Sequence, residues 1–126
     1  MANPSTVNAT ASGKEVLRRF HQNDVTTSGI EVINGVADHI YTIISIVVYN
    51  DSGTSTGLQM FLYPDGTSGD VCYLSAGAGN KIPAYSTFIW NDKFVMAGTD
   101  SLYVECQSGG GNNLDVWCSY IDQDWT

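Results

Sequence analysis

The sequence predicts an all-β protein: a single antiparallel β-sandwich of about eight strands, with jelly-roll or immunoglobulin-like connectivity and an extended N-terminal arm. Three observations carry that prediction. Apolar residues recur at every second position along much of the chain, the period of a strand with one buried face. Turn signals return at intervals of roughly 8–12 residues, as in sandwiches and barrels. Charged residues make up only 14% of the chain, against about a quarter in ordinary globular domains. Gly, Ser, Thr, Asn and Tyr fill the gap, a palette for strands joined by turns, whereas helices draw on Glu, Lys, Ala and Leu.

Residues 1–13, MANPSTVNATASG, are small, polar and nearly uncharged. They cannot bury enough apolar surface to offset their own ordering entropy, so they are assigned to an arm, and residues 14–126 to the sandwich. Val16 to His21 suits a strand with one wet face. Gly29 to Ile33 gives a second run, closed by Asn34-Gly35, a tight-turn dipeptide. The stretch HIYTIISIVVY, His39 to Tyr49, is rich in β-branched and aromatic residues. Its near-continuous apolarity predicts a central strand covered on both faces, or one crossing between sheets.

Leu58 to Tyr63 is the next strand, stopped by the turn residues Pro64-Asp65-Gly66. Asp70 to Leu74, Ser86 to Trp90 and Phe94 to Met96 follow, separated by a Gly/Ala loop and the bend Asn91-Asp92. Ser101 to Gln107 alternates cleanly, with Leu102, Val104 and Cys106 on one face. After the loop SGGGNN, Leu114 to Ile121 places Leu114, Val116 and Cys118 on one face against Asp115, Trp117 and Ser119. No segment carries a capped helical repeat, a heptad or an internal repeat, so the chain is not a fibre shaft.

The net charge of −8 and a pI near 4.2 bear on partners. The cations are Lys14, Arg18, Arg19, Lys81 and Lys93. Nucleic-acid binding needs clustered Lys and Arg to displace counterions, so neither nucleic acid nor an anionic membrane surface is an expected partner. The acidity suits solubility and repulsion between copies. Three cysteines, Cys72, Cys106 and Cys118, are an odd number in a domain large enough to fold without staples. Core thiols are the expectation, although Cys106 and Cys118 are expected on neighbouring strands, where a bond is conceivable. Met1 to Thr6 shows no secretory n-region and h-region.

The motifs resembling chemistry are weak. Gly53-Thr54-Ser55-Thr56-Gly57 spells G-x-S-x-G, but a nucleophile elbow requires a strand turning into a helix, and LQMFLY reads as a strand. His21 and His39, the latter after Asp38, supply no evident triad. The cysteines lack C-x-x-C spacing for zinc. Asp122-Gln123-Asp124 and the Asp65-Gly66 region do not form a calcium loop of alternating oxygen ligands. Catalytic, metal and cofactor residues are therefore all expected to be absent, and the protein is read as non-enzymatic. The sequons Asn8-Ala9-Thr10 and Asn50-Asp51-Ser52 carry no weight without a secretory signal. Among the aromatics Tyr63, Tyr73, Tyr85, Trp90, Tyr103, Trp117 and Trp125, the pair Tyr103 and Trp117 falls opposite the apolar stripes of their strands. Cross-strand neighbours covering a second core face, a subunit interface and a sugar platform are the three readings, with packing or interface ahead of sugar.

Three stretches, Gly35 to Asp51, Ser86 to Gln107 and Leu114 to Trp125, resemble small β-sandwich virion proteins of tailed bacteriophages, particularly marine ones. The shared features are an IYTIISIVVYN-type strand, a P-x-x-S-T approach at Pro83 to Thr87, a W-N-D-K-F-V bend at Trp90 to Val95, and a DVW-x-SYI strand at Asp115 to Ile121. The resemblance implies a role in the particle and brings no catalytic residues. It suggests a capsid decoration (cement) protein on the head exterior, made in the host cytoplasm. Its partners would be the major capsid protein and copies of itself, a trimer being one such closed arrangement. Each contact would bury about 1,000–2,000 Å². The interface residues this reading names are Asn3, Pro4 and Val7 in the arm, with Tyr103, Trp117 and Trp125. Neck or tail attachment, or a fibre tip binding glycan, is the alternative.

Overall fold

The computed structural model describes residues 14–76, 79–107 and 113–125. The predicted arm, with Asn3, Pro4 and Val7, lies outside the described residues, as does most of the SGGGNN loop. Ten strands form two five-stranded antiparallel sheets packed face to face: β1 (Lys14–Val25), β2 (Ile30–Asn34), β3 (His39–Asn50), β4 (Thr56–Tyr63), β5 (Cys72–Ser75), β6 (Lys81–Ile82), β7 (Thr87–Trp90), β8 (Phe94–Ala97), β9 (Ser101–Gln107) and β10 (Leu114–Asp124).

The first sheet runs β1-β10-β3-β7, with β8 continuing the β7 position along β3; the second runs β2-β9-β4-β5, with β6 sharing the β4 edge. The pairs β4 with β5 and β6, β3 with β7 and β8, β2 with β9, and β1 with β10 are nested. They describe one long hairpin rolled so that each sheet takes strands from both ends of the chain. That connectivity is a jelly roll, which settles the choice the sequence left open. The expected count of about eight is the number of strand positions; two of those positions are each broken into two short strands.

The core lies between the sheets and follows the alternation. Ile43, Ile46 and Val48 of β3, Leu58 and Met60 of β4, Leu102 and Val104 of β9, and Leu114 and Val116 of β10 are all fully buried. Cys106 and Cys118 join them, neither in a disulfide bond. They are not on neighbouring strands as expected, because β9 and β10 belong to opposite sheets. Burial pushes the Cys118 thiol up to about 12 and raises that of Cys106 as well, whereas Cys72 is exposed. A thiol reagent at neutral pH is therefore expected to consume one equivalent in the native protein, at Cys72, and three after unfolding; labelling followed by peptide mass mapping checks this.

Two local expectations need correction. Asn34-Gly35 does not make a two-residue hairpin, since β2 pairs with β9 and the chain then crosses to the other sheet. The turn sits at Val36 to His39, closed by the His39 amide on the Val36 carbonyl with Asp38 at φ 65°. Gly35 instead lets two backbones meet: its amide donates to the Asp100 carbonyl at 3.0 Å. The second correction concerns β3. It is central, between β10 and the β7/β8 position, but its outward face is only half covered.

At one end of the sandwich Asn50, fully buried, ties the loops together. Its amide nitrogen donates to the carbonyls of Thr54, Ile82 and Pro83 at 2.8, 3.0 and 3.2 Å. Its oxygen accepts from the Ser52 amide and hydroxyl at 3.1 and 2.8 Å. The G-x-S-x-G stretch lies in this loop and runs straight into β4, so the geometry an elbow requires is missing.

Candidate functional site

β10 carries its buried residues at Leu114, Val116 and Cys118, which leaves Trp117 and Ser119 pointing outward. The register extends that outward set across the first sheet. In one row His21 lies opposite Trp117, Trp117 opposite Val47 and Val47 opposite Ile89; in another Leu17, Ile121, Thr42 and Val95 succeed one another. Leu17, Trp117, Ile89 and Val95 are 50%, 41%, 59% and 63% exposed. An apolar band therefore crosses the outer face from β1 to the β7/β8 edge. Single exposed apolar residues are ordinary, but a contiguous band on one face marks an interaction surface.

Between the rows the β10–β3 register slips from Ser119–Ser45 to Tyr120–Ile43. The extra residue, Ile44, makes a β-bulge that turns its side chain to the outer face. Around it a hollow of about 420 Å³ is lined by Leu17, Arg18, Arg19, Ile44, Trp117 and Ser119. The Arg19 guanidinium lies 4.9 Å from the Trp117 ring centre, and the His21 ring 5.4 Å from it. The guanidinium covers one face of the indole by cation–π attraction.

The second sheet presents a different outer face. Phe61, Tyr63, Tyr73 and Tyr103 form an aromatic cluster, with Tyr103 stacked on Phe61 at 5.5 Å and Tyr63 5.0 Å from Tyr103. Burial raises the Tyr103 phenol above its usual range; the Glu31 charge and the hydrogen bond to Glu31 add to the effect. These rings cover one another, so most of them offer no open platform for a sugar.

Tyr103 and Trp117 thus lie on opposite outer faces of the molecule, not on neighbouring strands covering one second core. Trp125 is exposed beyond β10, where its amide donates to the Asp38 carbonyl at 2.9 Å. It is outside the apolar rows. Sequence reasoning missed Leu17, Arg19, Ile44, Val47, Ile89 and Val95. The signal available was their spacing at alternate positions opposite the buried set.

A third cluster joins β1, β3 and β10 at the sandwich edge. Asp122 receives the Arg18 Nε at 2.8 Å and lies 2.7 Å from His39 Nδ1; His39 Nε2 is 3.7 Å from Asp124. Both His39 nitrogens thus face carboxylates, and His21 Nε2 faces the Asn23 side chain at 2.7 Å. A buried carboxylate with two charge-assisted partners is a structural clamp. Tyr41 beside it accepts the Val36 amide through its hydroxyl at 3.0 Å, and burial raises its phenol. Among the described residues no set of three metal-ligating side chains converges.

No family model and no curated protein matches the sequence. Solved structures do match in fold. The chain is similar to a protein of Bacillus endospore appendages, described as disulfide-linked pili, at TM-score 0.52 and 13% identity, covering 91% of this chain and 90% of that one. It is also similar to structures of infectious bursal disease virus. The Gx strain gives TM-score 0.53 and 15% identity, and the VP2 subviral particle 0.53 and 13%. Each covers 91% of this chain, which spans about a third of the length of those viral proteins. At these identities the common property is the fold: a jelly-roll sandwich found in structural proteins of a virus particle and of a pilus.

Proposed function

We propose that this chain is a non-enzymatic virion structural protein of a tailed phage, a capsid decoration subunit that docks on the head exterior and bridges coat subunits. The observation that carries the reading is the apolar band on the outer face of the first sheet. It is half exposed and carried on the strands of one sheet, in a chain whose net charge is −8. Leu17, Ile89, Val95 and Trp117 are about half exposed, so completing their burial against a partner contributes about 1 kcal/mol each, roughly half the value for a fully exposed side chain. That is modest for one contact and ample when repeated on a fixed lattice, where linked contacts multiply. The fold likeness to a virus-particle protein and a pilus protein supports a structural role, because in both settings jelly rolls work through their surfaces. The sequence resemblance to phage virion proteins points to the particle, and the acidic charge favours its outside over a DNA-filled lumen.

The major capsid protein is the proposed partner, with residues 1–13 as an additional attachment segment. Copies would associate with closed symmetry, the trimer being one such arrangement. Sedimentation of purified protein with undecorated phage heads tests the reading. Saturable co-pelleting is the expected result. A double variant Ile89→Asp, Val95→Asp, which places carboxylates on exposed positions, is expected to lower retention at least about tenfold without lowering the melting temperature. Retention unchanged by that variant would remove the face from the account. Absence of co-pelleting together with selective binding on a glycan array would favour the fibre-tip alternative.

A further inference from the structure

We propose that one end of the sandwich is a carbohydrate contact, in which the Tyr85 ring stacks on the apolar face of a neutral sugar ring. The contact uses the loops 51–55 and 83–86, not the outer face of the first sheet, and does not rest on the reading above. Its starting point is a backbone outlier. Among the described residues, the non-glycine positions with positive φ are Asp24, Asp38, Asp65 and Tyr85. Aspartate tolerates that region through its short polar side chain; a bulky aromatic does so at a cost. Tyr85, at φ 53°, is the third residue of a turn closed by the Ser86 amide on the Pro83 carbonyl at 3.2 Å, where glycine would be free of strain. Strain of this kind persists where the surroundings enforce it, and it clusters at functional positions. The side chain is 64% exposed, so core packing does not account for a tyrosine there.

The two loops are tied together beneath the ring. The Tyr85 amide donates to the Ser52 carbonyl at 3.2 Å, and the Asn50 amide to the Ser86 carbonyl at 2.9 Å. The buried Asn50 side chain holds the Thr54 and Pro83 carbonyls, one in each loop. The Tyr85 hydroxyl lies 3.6 Å from the position a Cβ on Gly53 would take, so the ring leans over a residue without a side chain. Asp51, Thr54 and Ser55 beside it are exposed. Size and charge select the partner. A stable protein interface draws on about 20–30 residues a side, whereas these loops have five and four, with Ser52 buried. Asp51 is their one charged residue, while Asp38, Asp65, Asp70 and Asp100 lie in the loops of the other end. A held aromatic face rimmed by hydroxyls and a carboxylate matches a neutral pyranose. Its C–H face packs on the ring, and its hydroxyls donate and accept hydrogen bonds at the edge. Copies repeated on one support multiply a weak single contact.

An array of neutral and acidic oligosaccharides tests this. Maleimide-biotin on the exposed Cys72, which pairs opposite Leu62 toward the other end of the sandwich, loads the protein onto streptavidin, and the tetramer is applied to the array. Selective retention on neutral glycans is expected. Tyr85→Gly removes the ring and relaxes the backbone, so retention is expected to fall at least about tenfold while the melting temperature holds or rises. Tyr85→Phe keeps the stacking face and is expected to stay within about threefold of the wild type. The Ile89→Asp, Val95→Asp variant, altered on a different surface, is expected to bind glycan as the wild type does, which separates this contact from shell attachment. No retained glycan, equal retention of acidic glycans, or retention unchanged by Tyr85→Gly would overturn the proposal. So would loss of co-pelleting with heads in Tyr85→Gly when no glycan is retained, a result that assigns the tip to a protein partner.

Discussion

Replacing Asn50 by Ala is expected to cost about 3–5 kcal/mol, a drop in melting temperature of roughly 10–20 °C. The side chain is fully buried and makes five hydrogen bonds, three given and two accepted. Truncation would remove the side-chain partner of the Ile82 carbonyl and of the Ser52 amide, both buried contacts, while the Thr54 carbonyl keeps the Ser52 hydroxyl and the Pro83 carbonyl keeps the Ser86 amide. An unsatisfied buried polar group costs about 1–3 kcal/mol, so two at once, with the cavity left by the side chain, exceed a single typical loss. Asp at this position is no rescue, because it keeps the acceptors and removes the donors. Urea unfolding measures the effect, with an unchanged m-value indicating lost stability and not a changed unfolded state. A loss below about 1 kcal/mol would mean that the loop end of the sandwich is held by something else.

Gly35→Ala is expected to be comparably damaging for a purely steric reason. A Cβ at that position would lie 2.2 Å from the Asp100 carbonyl oxygen and 2.3 Å from that of Gly98. Both are backbone atoms, so the strain cannot be relieved by turning a side chain. The crossing from β2 into β3 would have to move away from the β8–β9 turn, breaking the Gly35–Asp100 hydrogen bond. A loss of about 3 kcal/mol or more, or failure to fold, is the expected outcome. Gly98→Ala makes a useful contrast: nothing lies within 4 Å of its Cβ, and only its φ of 57° resists substitution. That change is expected to cost about 1 kcal/mol. Thermal unfolding of both variants separates close approach from backbone conformation.

The alternation in β9 and β10 was legible residue by residue, because a strand with one buried face writes its period directly into the sequence. Leu102, Val104, Cys106, Leu114, Val116 and Cys118 are all where that period places them. The pairing of strands was not legible. Alternation says which residues share a face but not which sheet that face belongs to, so Cys106 and Cys118 were expected side by side although the core separates their strands. β6, two residues long, leaves too little pattern to detect. Asn34-Gly35 carries the composition of a tight turn, yet its glycine serves a long-range backbone contact that local sequence cannot reveal.

The candidate surface was half legible. Trp117 was singled out correctly as facing away from the core of its strand. Its companions were hidden by the density of apolar residues in β3, which reads equally well as a strand buried on both faces. The structure resolves the ambiguity by leaving the outer face of the first sheet uncovered by any described element, while the aromatics of the second sheet close over one another. An exposed apolar face on an otherwise acidic domain is what the proposed attachment requires.

Cryo-electron microscopy of phage heads incubated with the purified protein tests the central claim most directly. The account predicts regular density over the shell exterior, with the first sheet, bearing Leu17, Ile89, Val95 and Trp117, turned toward a neighbouring subunit. Density confined to one vertex or to the tail, or a shell-bound domain with that sheet facing solvent, would contradict it.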